Sequence, residues 1–118
     1  GLTTLGETWI LSPDFRDASV NHVFLGDVSA WMMNALAGIN YDEQNPGFEH
    51  VVIQPHFVKG LSWVKGAYRS TKGLIRSEWK RTGNKVQLTV AIPGNTTATI
   101  IYNNEHISVP PGVHQYIF

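Results

Sequence analysis

Apolar and polar residues follow two different periods along this chain, and the period changes near residue 40. Over 21–36, Phe24, Val28, Trp31, Met32 and Ala35 recur at i, i+4, i+7, i+8 and i+11, one stripe of an α-helix. Ser19 or Asn21 can accept the first free backbone N–H groups, and Gly38 can close the other end in the left-handed region. Alone, such a helix leaves its stripe in water. It is therefore expected to pack on other helices or on the rest of the chain, with Trp31 and Met32 in the core. Residues 40–47 are polar, contain Pro46-Gly47 and break the period, which predicts a turn or linker.

Beyond that segment the period is two. Strands are predicted over 48–54, 61–70, 74–80, 85–92, 98–102 and 106–109, with a last one at 115–118. Val86, Leu88, Val90 and Ile92 alternate with Lys85, Gln87, Thr89 and Ala91, a strand with one face on a core. Gly83-Asn84 and Asn103-Asn104 suit tight primed turns because these residues tolerate positive φ. Pro55, Pro93, Pro110 and Pro111 fall at strand ends, where a missing N–H costs least. Short strands at close spacing predict a mainly β fold, an antiparallel β-sandwich preceded by one or two helices. The expected division is a helical segment, 1–42, and a β-sandwich domain, 43–118.

Composition narrows the partners. Nine basic and nine acidic residues give a formal net charge of zero, so no global field draws nucleic acid or an anionic membrane, and neither is expected as a partner. Cysteine is absent, which excludes disulfides, thiolate metal sites and cysteine nucleophiles within these 118 residues. No apolar run approaches the ~18 residues of a spanning helix. The chain has no glycine-rich phosphate loop, no Gly-x-Ser-x-Gly elbow and no HExxH, so nucleotide use, serine hydrolysis and zinc proteolysis lose their usual support.

Several residues can carry chemistry. Glu7 stands beside Trp9, and a carboxylate partly desolvated by an indole has a raised pKa suited to proton transfer; an isolated Glu is equally an ordinary surface residue. Asp14, Arg16 and Asp17 read as a loop held by an Arg–carboxylate pair. His22 opens the helix and can meet a ligand there, or merely cap or pack. His50 and His56 are six residues apart, too far for adjacent ligands, and no metal is expected. Trp63, Tyr68 and Trp79 can form a platform for sugar rings, but their strand parity with Leu61, Ala67 and Ile75 favours a place in the core.

The order Gly6-Glu7-Thr8-Trp9, Asn21-His22, Gly26-Asp27-Val28, Trp31 and Leu36-Ala37-Gly38-Ile39 resembles the end of the catalytic barrel of bacterial α-L-rhamnosidases of glycoside hydrolase family 78. Val52-Ile53-Gln54-Pro55, Gly60-Leu61-Ser62-Trp63-Val64-Lys65-Gly66 and Gly73-Leu74-Ile75 resemble the β-domain that follows it. The resemblance covers nearly the whole chain. It implies that 1–42 is the remnant of an α/α toroid, and that the parent releases L-rhamnose with inversion. It also implies Glu7 as the general base that activates water, and sugar binding by His22 and Trp9. The general acid would lie upstream, outside this chain.

The partners so implied are a rhamnose-containing carbohydrate and the upstream catalytic barrel of the same parent chain; self-association into a homo-oligomer stays open. No cofactor is implied. The compartment is undetermined, a periplasmic or secreted place being preferred to the cytoplasm. The 118 residues by themselves are expected to be inactive. A rival reading is a non-catalytic carbohydrate-binding β-sandwich, which exposed, coplanar Trp63 and Trp79 would favour and burial of both would oppose.

Overall fold

The computed structural model describes Gly6, Ser19 and residues 21–118. Two compact units make up the chain, Gly1–Trp31 and Met32–Phe118. In the first, the extended backbone of His22 leads into a 3-10 turn, Val23–Gly26, closed by the Leu25 N–H on the His22 carbonyl at 3.1 Å. One α-helical turn follows, α1 (Asp27–Trp31), with Asp27 placed where a carboxylate favours a helix start.

The second unit opens with a π-helical turn, Met32–Leu36, and continues as eight strands. These are β1 (Ile39–Tyr41), β2 (His50–Ile53), β3 (Trp63–Ser70), β4 (Gly73–Thr82), β5 (Lys85–Ile92), β6 (Thr97–Tyr102), β7 (Glu105–Val109) and β8 (Gly112–Ile117). They form two four-stranded sheets, β1-β2-β6-β7 and β3-β4-β5-β8. One core joins the sheets: Ile39, Val51, Ile53, Ala98, Ile100 and Val109 from the first meet Ile75, Trp79, Val86, Leu88, Val90 and Ile92 from the second. The strict alternation along β5 is the reason, since it sends every second side chain inward.

Local turn chemistry fixes the hairpins. Between β4 and β5, Gly83 takes φ 60° at the first central position of a two-residue loop, and between β6 and β7 both Asn103 (φ 48°) and Asn104 (φ 65°) are left-handed.

Four expectations are corrected. The sandwich is not wholly antiparallel, because β2 and β6 run parallel, with Val51 opposite Ala98. Parallel neighbours need a long crossover, and here the chain makes β3, β4 and β5 of the other sheet before returning. The expected turn over 40–47 begins later: Ile39–Tyr41 pairs with β2, placing Ile39 opposite Ile53 in the core.

The helix expected over 21–36 is divided among 3-10, α and π geometry. Trp31 and Met32, expected in the core, are 57% and 51% exposed. The Ala37 N–H reaches the Met32 carbonyl five residues back, at 3.1 Å, and this extra residue in the turn rotates the inward position by one, so that Met33 packs on the core instead. Trp31 belongs to the first unit, whose described helical turns bury no residue.

Candidate functional site

The end of the π turn is held to the sheets by its carbonyls. A helix leaves its last four C=O groups without intrahelical partners, and burial makes each one costly unless something donates to it. Here five consecutive carbonyls are met. Asn34 O accepts from Asn40 Nδ2 at 3.2 Å, Ala35 O from the His56 N–H at 2.9 Å, Leu36 O from the Trp79 indole N–H at 2.8 Å, and Ala37 O from the Ser77 hydroxyl at 2.6 Å. Gly38 O accepts from the Gln54 N–H at 2.8 Å. Ser77 and Trp79 are alternate residues of β4 and so share its inward face, which is what places two donors over neighbouring carbonyls.

Glycine makes the approach possible. Gly38 has φ 74°, and a Cβ there would collide with the Pro55 nitrogen; a Cβ on Gly66 of β3 would collide with the Ala37 methyl. At Gly38 the junction is thus backbone packed directly on backbone, and at Gly66 backbone packed on a methyl.

Of the residues expected to carry chemistry, Glu7 and Trp9 lie outside the described residues, as do Asp14, Arg16 and Asp17. His22 is half-buried ahead of the 3-10 turn, its side chain makes no capping hydrogen bond, and its ring lies 5.4 Å from that of Phe24. The two other histidines are not brought together. His50 Nδ1 lies 2.7 Å from the Thr97 hydroxyl and its Nε2 3.0 Å from that of Thr99, whereas His56 Nδ1 lies 3.2 Å from Ala35 O.

The aromatic platform divides. Trp79 is 2% exposed, in edge contact with Phe57, while Trp63 is 59% exposed on the outer face of the second sheet. The register sets this, since Val64, not Trp63, stands opposite Trp79. Around Trp63 the outer face carries Lys65, Glu78, Lys80, Gln87 and Thr89 in a shallow concavity of about 600 Å³, with Lys65 and Glu78 paired at 3.7 Å. Tyr68 is partly exposed and rests on Phe48, the ring centroids 4.9 Å apart.

A second concavity, about 390 Å³, lies at one end of the sandwich and was not foreseen. Phe57, Tyr102 and Phe118 form its floor, with ring centroids 4.4 to 6.0 Å apart. Arg81 shares the inward parity of Ile75, Ser77 and Trp79, and its Nη2 donates to Phe57 O at 2.9 Å. Its Nε is buried with no partner. An arginine in step with three core positions was the signal in the sequence.

Among the described residues, one charged group departs from its ordinary behaviour. The Asn45 side-chain amide donates to Asp42 at 2.8 Å, and this bond, with the Gln44 N–H and the nearby His50, holds the Asp42 carboxyl below its usual range.

Two four-stranded sheets around one core, preceded by a short helical segment held through its carbonyls, define a mainly β domain. Residues 38–116 match the family described as bacterial alpha-L-rhamnosidase C-terminal domain, and the chain belongs to that family. An alpha-L-rhamnosidase of Streptomyces avermitilis is 30% identical over 112 residues, 90% of this chain and 11% of its own length. One from Alteromonas is 28% identical over 107 residues, 86% of this chain and 11% of its own.

Among solved structures, native alpha-L-rhamnosidase from Aspergillus terreus superposes with a TM-score of 0.84 at 25% identity, covering 98% of this chain and 14% of that one. The Streptomyces avermitilis enzyme complexed with L-rhamnose has the same fold, TM-score 0.83 at 24% identity, covering 99% of this chain and 14% of that one. The chain therefore spans about a tenth of the length of the sequence relatives it matches.

Proposed function

We propose that this chain is the C-terminal part of an inverting α-L-rhamnosidase. The residues preceding the sheets complete its helical catalytic domain, and the sheets form the domain that holds the last helix in place. Glu7 is the general base and activates water; His22 and Trp9 bind the rhamnosyl residue. An inverting pair needs carboxyl groups about 6.5–9.5 Å apart with water between them, so the second carboxyl, the acid, comes from the preceding part of the parent. The partners are a rhamnose-containing carbohydrate and that catalytic barrel.

The observation that carries the reading is the series Gly6-Glu7-Thr8-Trp9 and Asn21-His22 directly ahead of residues 38–116, which match the family's C-terminal domain. The carbonyl junction supports it, because a domain whose task is to position a helix requires such a rigid attachment. The test is Glu7→Gln in the parent enzyme. Loss of a general base lowers kcat by about 10²–10⁴ with KM little changed. A Glu7→Gln parent with undiminished kcat would overturn the assignment.

A further inference from the structure

We propose that the cleft at the end of the sandwich is a second, non-catalytic saccharide site, and that it takes a sugar residue carrying a carboxylate. This does not rest on the catalytic role of Glu7. The floor of Phe57, Tyr102 and Phe118 offers ring faces to the C–H face of a pyranose. Around it stand Gln54, Asn84 and Asn103, whose side-chain amides make no hydrogen bond; each supplies a planar donor and acceptor, the pattern that matches vicinal hydroxyls. The volume, about 390 Å³, is at the lower end of small-molecule sites and suits one or two sugar rings.

Charge selects among sugars. Arg81 is the one Lys, Arg, Asp or Glu side chain lining the cleft, so its guanidinium is the cation that an acidic sugar would meet there. One arm of the guanidinium is anchored on Phe57 O, yet Nε is shut off from solvent without an acceptor, a state buried polar groups rarely keep. A carboxylate in the cleft would give the guanidinium the acceptor it lacks, with Nε reached once the side chain turns toward the cleft. The outer face around Trp63 carries Lys80 besides the Lys65–Glu78 pair, but among the described residues the buried side-chain N–H without a partner is that of Arg81.

The test is a titration of the 118-residue chain by nitrogen–proton NMR, reading backbone amides, side-chain amides and the arginine Nε–H. The probes are D-glucuronate, L-rhamnose and acetate at millimolar concentrations. D-glucuronate is expected to give saturable shifts at Arg81, Asn84, Asn103 and Gln54, and to bind about tenfold or more tightly than either of the others. Arg81→Gln is expected to abolish the preference over L-rhamnose. Arg81 also holds Phe57 O, so Asn84→Ala, on an exposed turn, serves as the variant that keeps the fold and still weakens binding; Trp63→Ala leaves binding unchanged. Equal response to acetate overturns the saccharide claim, equal response to L-rhamnose overturns the acidic preference, and the absence of saturable shifts, or shifts centred on Trp63, overturns the site.

Discussion

Replacing Ser77 by alanine removes a single oxygen from the junction and leaves the carbon packing intact. The side chain is fully buried, and its hydroxyl donates to Ala37 O at 2.6 Å. A neutral hydrogen bond contributes about 0.5–1.5 kcal/mol net, while a buried acceptor left without a donor costs about 1–3 kcal/mol. Ala37 is itself 1% exposed, so water cannot replace the hydroxyl without opening the junction, and the second figure governs. We expect a loss of about 2 kcal/mol, equivalent to a fall in Tm of about 8 °C for a domain of this size. Urea unfolding followed by circular dichroism measures it, with Gln87→Ala at an exposed position of β5 as a control within about 0.5 kcal/mol of the unmodified chain. Because Trp79 serves the adjacent carbonyl, Ser77→Ala and Trp79→Phe should couple by about 0.5 kcal/mol or more in a double-mutant cycle. A Ser77→Ala chain as stable as the original would refute the view that donors from β4 hold the turn in place.

Gly38→Ala should cost more, about 3 kcal/mol or above, because strain at positive φ adds to a collision with Pro55 backbone; thermal unfolding checks this, and Gly26→Ala, where a Cβ meets nothing, should be nearly neutral. Asp42 should titrate below the 3.8 of an unperturbed aspartate when its carboxyl carbon is followed by NMR, and Asn45→Ala should return the midpoint toward that value. Since its folded pKa is the lower one, the stabilisation from this carboxylate is complete above the unfolded pKa and is lost as pH falls through the folded pKa.

What the sequence disclosed, and what it withheld, follows from how local each feature is. The strand over 85–92 was readable to the residue, because alternation along one strand is a local property. The left-handed backbone at Gly83, Asn103 and Asn104 was readable for the same reason. The parallel pairing of β2 with β6 was not, since nothing within either strand encodes a neighbour 47 residues away. The π turn escaped because an inserted residue leaves the apolar pattern 24, 28, 31, 32, 35 intact while rotating which member faces inward. Trp63 and Trp79 look alike along the chain, and only the cross-strand register, Val64 opposite Trp79, separates an exposed indole from a core one. Glu7, His22 and Trp9 rest on resemblance, and the first and third lie outside the described residues.

The central claim is that these residues hold half of a glycosidase site, with Glu7 as base and the acid elsewhere in the parent. Turnover of an aryl α-L-rhamnoside by the purified 118-residue chain tests it most directly. The account predicts no hydrolysis above buffer, because proton transfer to the leaving oxygen, a contribution of about 10²–10⁴, and the substrate pocket both need upstream residues. Hydrolysis by this chain alone that disappears in Glu7→Gln would show a complete site within it and contradict the account.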